Sequence, residues 1–198
     1  MSDLTIRRAD PDDARVIAQV RVDSWRTTYK GMIPDAYLAA MSVDDSVAMW
    51  LRVLSAASNK ASVFVAAKGA EVVGFAAGNL LAEPRHGLDA ELTAIYLRRD
   101  SQRAGAGRRL VAAVVAAQRA QGATGVLTWV IAANRGARAF YEGLGAELLV
   151  EQPFQWDGMD LVEAGYGWRN LDAFATAAAG RTGQTQYLAA EAYSGEGK

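Results

Sequence analysis

Glu91-Leu-Thr-Ala-Ile-Tyr-Leu-Arg-Arg-Asp-Ser-Gln-Arg-Ala-Gly-Ala-Gly-Arg-Arg-Leu110 divides into an apolar run, a basic turn with two glycines and the opening of a helix. Gly105 and Gly107 remove Cβ atoms where a ligand has to approach the backbone. The amides at the start of the new helix then face outward as an anion site. Arg98, Arg99, Arg103, Arg108 and Arg109 crowd the turn, and Asp100 alone opposes them. A phosphate-bearing ligand is the expected occupant.

The kind of phosphate ligand narrows by elimination. A P-loop places Lys-Ser or Lys-Thr after its second glycine, and here Arg108-Arg109 follow. A dinucleotide fingerprint needs Gly or Ala at position 110, which is Leu, and an acidic residue about twenty positions later, where Val126, Leu127 and Thr128 stand. What remains is Gln102-x-x-Gly105-x-Gly107, which closely resembles the pyrophosphate loop of the GNAT superfamily of N-acetyltransferases. Downstream, Asn134-Arg-Gly-Ala-Arg-Ala-Phe-Tyr-Glu-Gly-Leu-Gly145 resembles the other acetyl-CoA motif of that superfamily, with Asn134, Ala137, Tyr141 and Gly145 in step. Ala146 departs from the pattern, which usually has an aromatic residue there.

Composition fits this reading. The 198 residues, 51% hydrophobic and 22% charged, suffice for one domain with a full core. A net charge of −1 makes the basic cluster local and argues against a nucleic-acid partner, which asks for positive charge across a face. The chain has no cysteine and a single histidine, His86, so neither a disulfide nor a His/Cys metal site is expected. No secretory leader or bilayer-length apolar run is read. A cytoplasmic protein with no membrane partner is expected, and a homodimer is compatible with the sequence.

Periodicity and turn residues divide the rest. Leu4 to Ile6 reads as a first strand, and Asp10-Pro-Asp-Asp13 starts a helix with Ala14, Ile17, Ala18, Arg21 and Trp25 on one face. A short second helix begins at Pro34 and runs through Met41, and Ser42-Val-Asp-Asp45 resembles a capping box that Val47, Trp50, Leu51 and Leu54 continue as a helix. Strands are expected over 62–66 and 72–76, joined through Lys68-Gly69, then a polar loop over 82–89 carrying Glu83, Pro84 and His86. A strand over 90–97, a helix to Gly122, a strand over 126–130, a helix over 137–144 and strands near 148–150 and 161–168 follow. This is an α/β (α+β) mixed sheet with helices on both sides, an order that resembles the GNAT fold. Residues 1–169 read as the domain. Residues 170–198 read as an extension with a short helix from Leu171 to Ala179 and a mobile tail.

The resemblance implies an N-acetyltransferase that uses acetyl-CoA and no metal. Its central sheet would splay between the fourth and fifth strands, with pantetheine pairing against Ile95, Tyr96 and Leu97 like an added strand. The turn from Gln102 through Arg103, Ala104, Gly105, Ala106, Gly107 and Arg108 would cradle the pyrophosphate. Asn134 would hold a pantetheine amide or a nearby backbone group, or cap the helix that follows it. Tyr141 corresponds to the tyrosine that protonates the leaving thiolate.

Glu91 sits six residues before Leu97, the spacing of the catalytic base in the histone-acetyltransferase branch. Two-residue alternation puts it on the side of Thr93 and Ile95; a solvated edge residue is the competing reading. His86 and Glu83 are reserve bases. The base position of the ribosomal-protein branch is occupied here by Trp129. Trp25 and Tyr29, with Tyr37, stand where an acceptor would be walled, whereas Trp50 suits the core. With no cysteine to carry an acetyl group, direct attack in a ternary complex is expected. A small-molecule amine is favoured over a protein acceptor. A non-catalytic acyl-CoA sensor or interaction module and a transferase for a longer acyl-CoA are the alternatives.

Overall fold

The computed structural model describes residues 4–56 and 61–174. Its strands are β1 (Leu4–Arg8), β2 (Ala61–Lys68), β3 (Glu71–Arg85), β4 (Leu88–Leu97), β5 (Val126–Ile131), β6 (Glu147–Trp156) and β7 (Met159–Trp168). They form one sheet in the order β1-β2-β3-β4-β5-β7-β6, antiparallel at every step except β4–β5. The helices are α1 (Ala14–Thr28), α2 (Asp35–Ala40), α3 (Val43–Ser55), α4 (Ala106–Ala120) and α5 (Arg135–Gly143). Two cores result. One packs α1 and α3 on Val63, Val65, Val72, Phe75 and Ala77; the other packs α4 and α5 on Ala66, Val73, Ala76, Ala90, Leu92, Val126 and Val130. The mixed sheet with helices on both faces is as expected.

The helix starts follow from their capping residues. Asp10 accepts from the Asp12 amide while Asp13 accepts from the Asp10 amide, and Arg7 adds two bonds to the Asp13 carboxylate at 2.6 and 2.7 Å. The short helix and the stretch after it are separate helices, because Met41 is extended and Ser42 caps a fresh start by accepting from the Asp45 amide. The polar segment 82–89 is not a loop. β3 runs to Arg85 and β4 begins at Leu88, with His86 (φ 52°) and Gly87 (φ 75°) forming a two-residue turn. Polar composition misled here because this ribbon is largely solvent-exposed on the β3 side.

Two irregularities position the site. Asp89 accepts from the Thr124 and Gly125 amides at 2.9 and 3.1 Å, fastening the start of β5 to the start of β4. The strands then pair only at Ala90↔Val126 and Glu91↔Leu127 before parting. Immediately afterwards the β3–β4 register slips by one residue, with Leu92 opposite Gly78 and Ala94 opposite Ala77. Thr93 is the extra residue of this bulge, and its hydroxyl donates back to the Ala77 carbonyl at 3.1 Å. The described chain ends in a helical segment, residues 171–174, capped by Asn170 and buried through Leu171 and Phe174 against Trp168. The remainder of the expected helix and tail, 175–198, lies outside the described residues.

Candidate active site

Where β4 and β5 part, the sheet has a slot lined by backbone. Ala90 turns its amide toward β5, onto the Gly125 carbonyl, and Arg98 turns its amide toward β3, onto the Val73 carbonyl. Counting back by twos from Arg98, the Tyr96 peptide groups also face β3, while those of Ile95 and Leu97 face the slot. Thr128 makes the last tie across it, its hydroxyl donating to the Leu92 carbonyl at 3.0 Å. Beyond that bond the main chain of either strand offers groups to a third extended chain.

At the open end of the slot lies the basic turn. Gln102 donates from Nε2 to the Leu97 carbonyl at 3.1 Å, and Lys68 donates to the buried Ser101 hydroxyl at 3.1 Å. These bonds hold the turn to the sheet, so the Gln102 side chain is engaged by the fold. Arg103 (φ 64°) and Gly105 (φ 81°) both adopt left-handed backbone, and the first amide of the helix to find a partner is that of Arg109, on the Gly105 carbonyl. The amides of residues 103–108 have no partner among the described residues. Added at Gly105, a Cβ would meet nothing within 4 Å; at Gly107 it would come within 3.2 Å of Phe140 and 3.3 Å of Leu97. Gly107 therefore lets α4 sit close to the slot, and Gly105 supplies the turn. Of the arginines, Arg98 pairs with Glu71 and Arg109 donates to the Leu4 carbonyl, whereas Arg99, Arg103 and Arg108 form no ion pair among the described residues. Six free amides at a helix start beside three free guanidinium groups suit a diphosphate.

Asn134 both ends β5 and starts α5. Its Oδ1 accepts from the Ala137 amide at 3.1 Å, which establishes the capping role and leaves its Nδ2 donors without a partner among the described residues. Tyr141 projects from α5 into the slot. The residue is 6% exposed, with its hydroxyl beside the Thr128 side chain. Burial pushes this phenol up to about 12, with Thr128 working the other way and Tyr96 adding to the rise.

The bulge corrects the expected direction of Glu91. Ala90 and Leu92 face the α4 core and, because Thr93 is extra, so do Ile95 and Leu97; Glu91, Ala94 and Tyr96 face α1. Simple alternation fails at one residue, and everything beyond it changes sides. Glu91 stands at the closed end of the slot with its side chain 18% exposed and 3.8 Å from Arg85. Burial raises its pKa above the ordinary carboxylate value; Arg85 opposes the rise and Glu163 of β7 reinforces it. Of the reserve bases, Glu83 is exposed in the wide β3 bulge, and His86 sets its ring against Trp129 at 5.7 Å.

Around the α1 face of the slot the structure gathers Trp25, Tyr29, Tyr96, Tyr37 and Trp156. Trp25 contacts Tyr29 at 4.8 Å, Trp156 at 5.1 Å and Tyr96 at 6.5 Å, and Tyr37 contacts Trp156 at 4.9 Å. Tyr29 is raised by burial and by Tyr96, Tyr141 adding a smaller push, so phenols from both faces of the sheet meet through the slot. Trp50 instead packs on Phe75 in the core. Trp156 escapes sequence reasoning. It sits at the tip of the β6–β7 hairpin, whose turn is Asp157-Gly158, and that dipeptide was the available signal.

A mixed sheet parted between parallel β4 and β5, with an amide-lined turn opening the next helix, is the architecture of an acyl-group transferase. Residues 22–146 match the acetyltransferase (GNAT) family, and the chain belongs to it. It is 37% identical over 175 residues to the N-acetyltransferase YuaI of Bacillus subtilis strain 168, covering 87% of this chain and 97% of that protein. The PaiA N-acetyltransferase of Thermoplasma acidophilum, solved with coenzyme A, superposes with a TM-score of 0.63 at 20% identity, over 82% of this chain and 98% of that one. YncA of Salmonella typhimurium, solved with acetyl-CoA, gives 0.63 at 19% identity, over 84% and 94%. Among the described residues no three His, Cys, Asp or Glu side chains gather as a metal-ligand set, and no helix is long and apolar enough to cross a membrane.

Proposed function

We propose that the chain transfers the acetyl group of acetyl-CoA to a primary amine of a small molecule by direct attack within a ternary complex. The observation that carries this is the slot itself. Its open end has six unpartnered amides, Glu91 stands at its closed end, and Tyr141 enters from the side. The solved relatives named above hold coenzyme A or acetyl-CoA, which supports the same ligand here.

In this reading the amides of residues 103–108 bind the diphosphate, the slot-facing groups of Ile95 and Leu97 pair with pantetheine, and Asn134 donates from Nδ2 to it. Glu91 takes the ammonium proton, directly or through water, so that the amine attacks as the neutral base. Its raised pKa brings it closer to that of the proton it accepts. Tyr141 delivers a proton to the departing sulfur. With reference values near 10 for a phenol and 8.5 for a thiol, the transfer is about 2 kcal/mol uphill in water, and burial raises the phenol further, to about 12. Burial in the same dry slot raises the thiol as well, which narrows the gap. The phenol stays protonated at every physiological pH and is always ready to donate.

Initial rates measured by thiol release, varying acetyl-CoA and acceptor together, test the order of events. Intersecting double-reciprocal lines are expected; parallel lines would require a covalent acetyl-enzyme and overturn the ternary route.

A further inference from the structure

The acceptor side of the slot carries a charge that the transfer chemistry does not use. Arg21 stands one turn before Trp25 on α1, half-buried, with its guanidinium 5.0 Å from the centre of the Trp25 ring. Its field reaches Tyr29, Tyr37 and Tyr96 and favours the ionised form of each, with Asp157 of the hairpin turn outweighing it at Tyr37, so it lies amid the phenols that wall the acceptor space. It makes no ion pair among the described residues. Beside it, the Trp25 indole N–H is buried and meets no acceptor in hydrogen-bond geometry, although the Tyr96 hydroxyl is near. Two donors thus lie partly desolvated without an anion, which a resident acceptor group would relieve. On the same face the carboxylate of Glu91 stands at the closed end of the slot, and that of Glu163, across β5 beside Ile131, is near enough to act on it.

A space that is cationic at one end and anionic at the other complements a molecule of the opposite polarity. We propose that the amine acceptor is a small amino-carboxylate, whose free carboxylate is held by the Arg21 fork and the Trp25 N–H while its ammonium is directed to Glu91. The assignment rests on the acetyl-transfer reading above and names its acceptor. One planar guanidinium pairs well with one carboxylate. A phosphate would call for further cations, and no other cation acts on these phenols. A polyamine would meet Arg21 with like charge. The six residues from Glu91 to Tyr96 span about 15 Å of strand. The inward reach of both side chains leaves room for a molecule of amino-acid size.

The test is thiol release from acetyl-CoA with free amino acids, their C-terminal amides, and putrescine and spermidine as acceptors. The acid form of the best acceptor should exceed its amide by roughly 10- to 100-fold in kcat/KM, the worth of a charge-assisted bond. Arg21→Met, which keeps the stem over Trp25, should abolish that difference by raising the acceptor KM while leaving the KM for acetyl-CoA unchanged. Arg21→Lys should restore part of it. Amides used as well as acids, a preference for the polyamines, or an acid-to-amide ratio that survives Arg21→Met would each overturn the assignment while leaving the transferase reading standing. No release with any amine would overturn both.

Discussion

The two ends of the β4–β5 slot are made of different material. At the α4 end the recognition groups are main-chain amides, and the side chains of Gln102, Lys68 and Ser101 serve to hold the turn in place. At the α1 end the groups are side chains, drawn from α1, α2, β4 and the tip of the β6–β7 hairpin. A backbone cradle fixes one ligand chemistry, because its donors cannot be altered without altering φ and ψ. A side-chain wall can change residue by residue on an unchanged sheet. In the proposed reading the cofactor end is thus fixed by the backbone, and the acceptor end is open to change by substitution.

The sharpest way to break this contrast is Gly105→Val. The position has room, since nothing lies within 4 Å of an added Cβ, but its φ of 81° suits no β-branched residue. The backbone must rotate and take its amides out of the cradle, or the methyl groups must project into the anion space. Affinity for acetyl-CoA is expected to fall by two orders of magnitude or more, roughly the loss of two charge-assisted bonds. Titration calorimetry reads this directly, and unchanged affinity would refute the cradle.

Glu91→Gln tests the junction of the two ends. Burial, opposed by Arg85, holds the Glu91 pKa above that of an ordinary carboxylate, so wild-type activity should rise with pH through that raised value as the base ionises. Without the carboxylate the amine must arrive already neutral, and the optimum should move upward toward the pKa of the acceptor itself. At neutral pH kcat/KM should drop roughly 100- to 1,000-fold. A uniform loss at every pH with no displacement of the profile counts against Glu91 as base. A smaller effect is expected at Tyr141→Phe, which keeps the packing against Phe140, Tyr166 and Trp168. Because the thiolate is a competent leaving group, kcat should fall about 10- to 30-fold, less than the usual 100-fold or more for a general acid, with both KM values kept. An unchanged kcat assigns Tyr141 to packing alone.

The same contrast explains what could be read from the chain. The cradle was legible because its meaning is local: two glycines, a helix start and clustered arginines lie within one short stretch, and their spacing carries the geometry. The placement of Asn134 and Tyr141 was legible for the same reason, both belonging to one helix and its cap. The direction of Glu91 was not, since the Thr93 bulge arises from the pairing of β3 with β4 and inverts the alternation on which the reading depended. Nor was the wall. Trp25 and Trp156 are distant in sequence and meet only because the β6–β7 hairpin reaches across to α1. Arg21 reads in sequence as one more helix-face arginine, and only its place over Trp25 with no ion pair among the described residues sets it apart.

Trp156→Ala probes the variable end alone. The indole touches Trp25 and Tyr37 from a hairpin tip, and no residue of the amide turn is among its ring partners. Truncation should therefore leave acetyl-CoA binding intact. It should loosen the wall on the acceptor and let water reach the Trp25 face on which Arg21 rests. Losing an aromatic contact worth up to about 1.4 kcal/mol corresponds to a rise of up to roughly tenfold in the acceptor KM. If the KM for acetyl-CoA rises in parallel, the hairpin tip braces the whole slot and the two ends are not independent. If neither value moves, the wall ends at Trp25 and the acceptor lies wholly between α1 and β4. Only a rise confined to the acceptor preserves the division between a fixed backbone cradle and an adaptable aromatic wall.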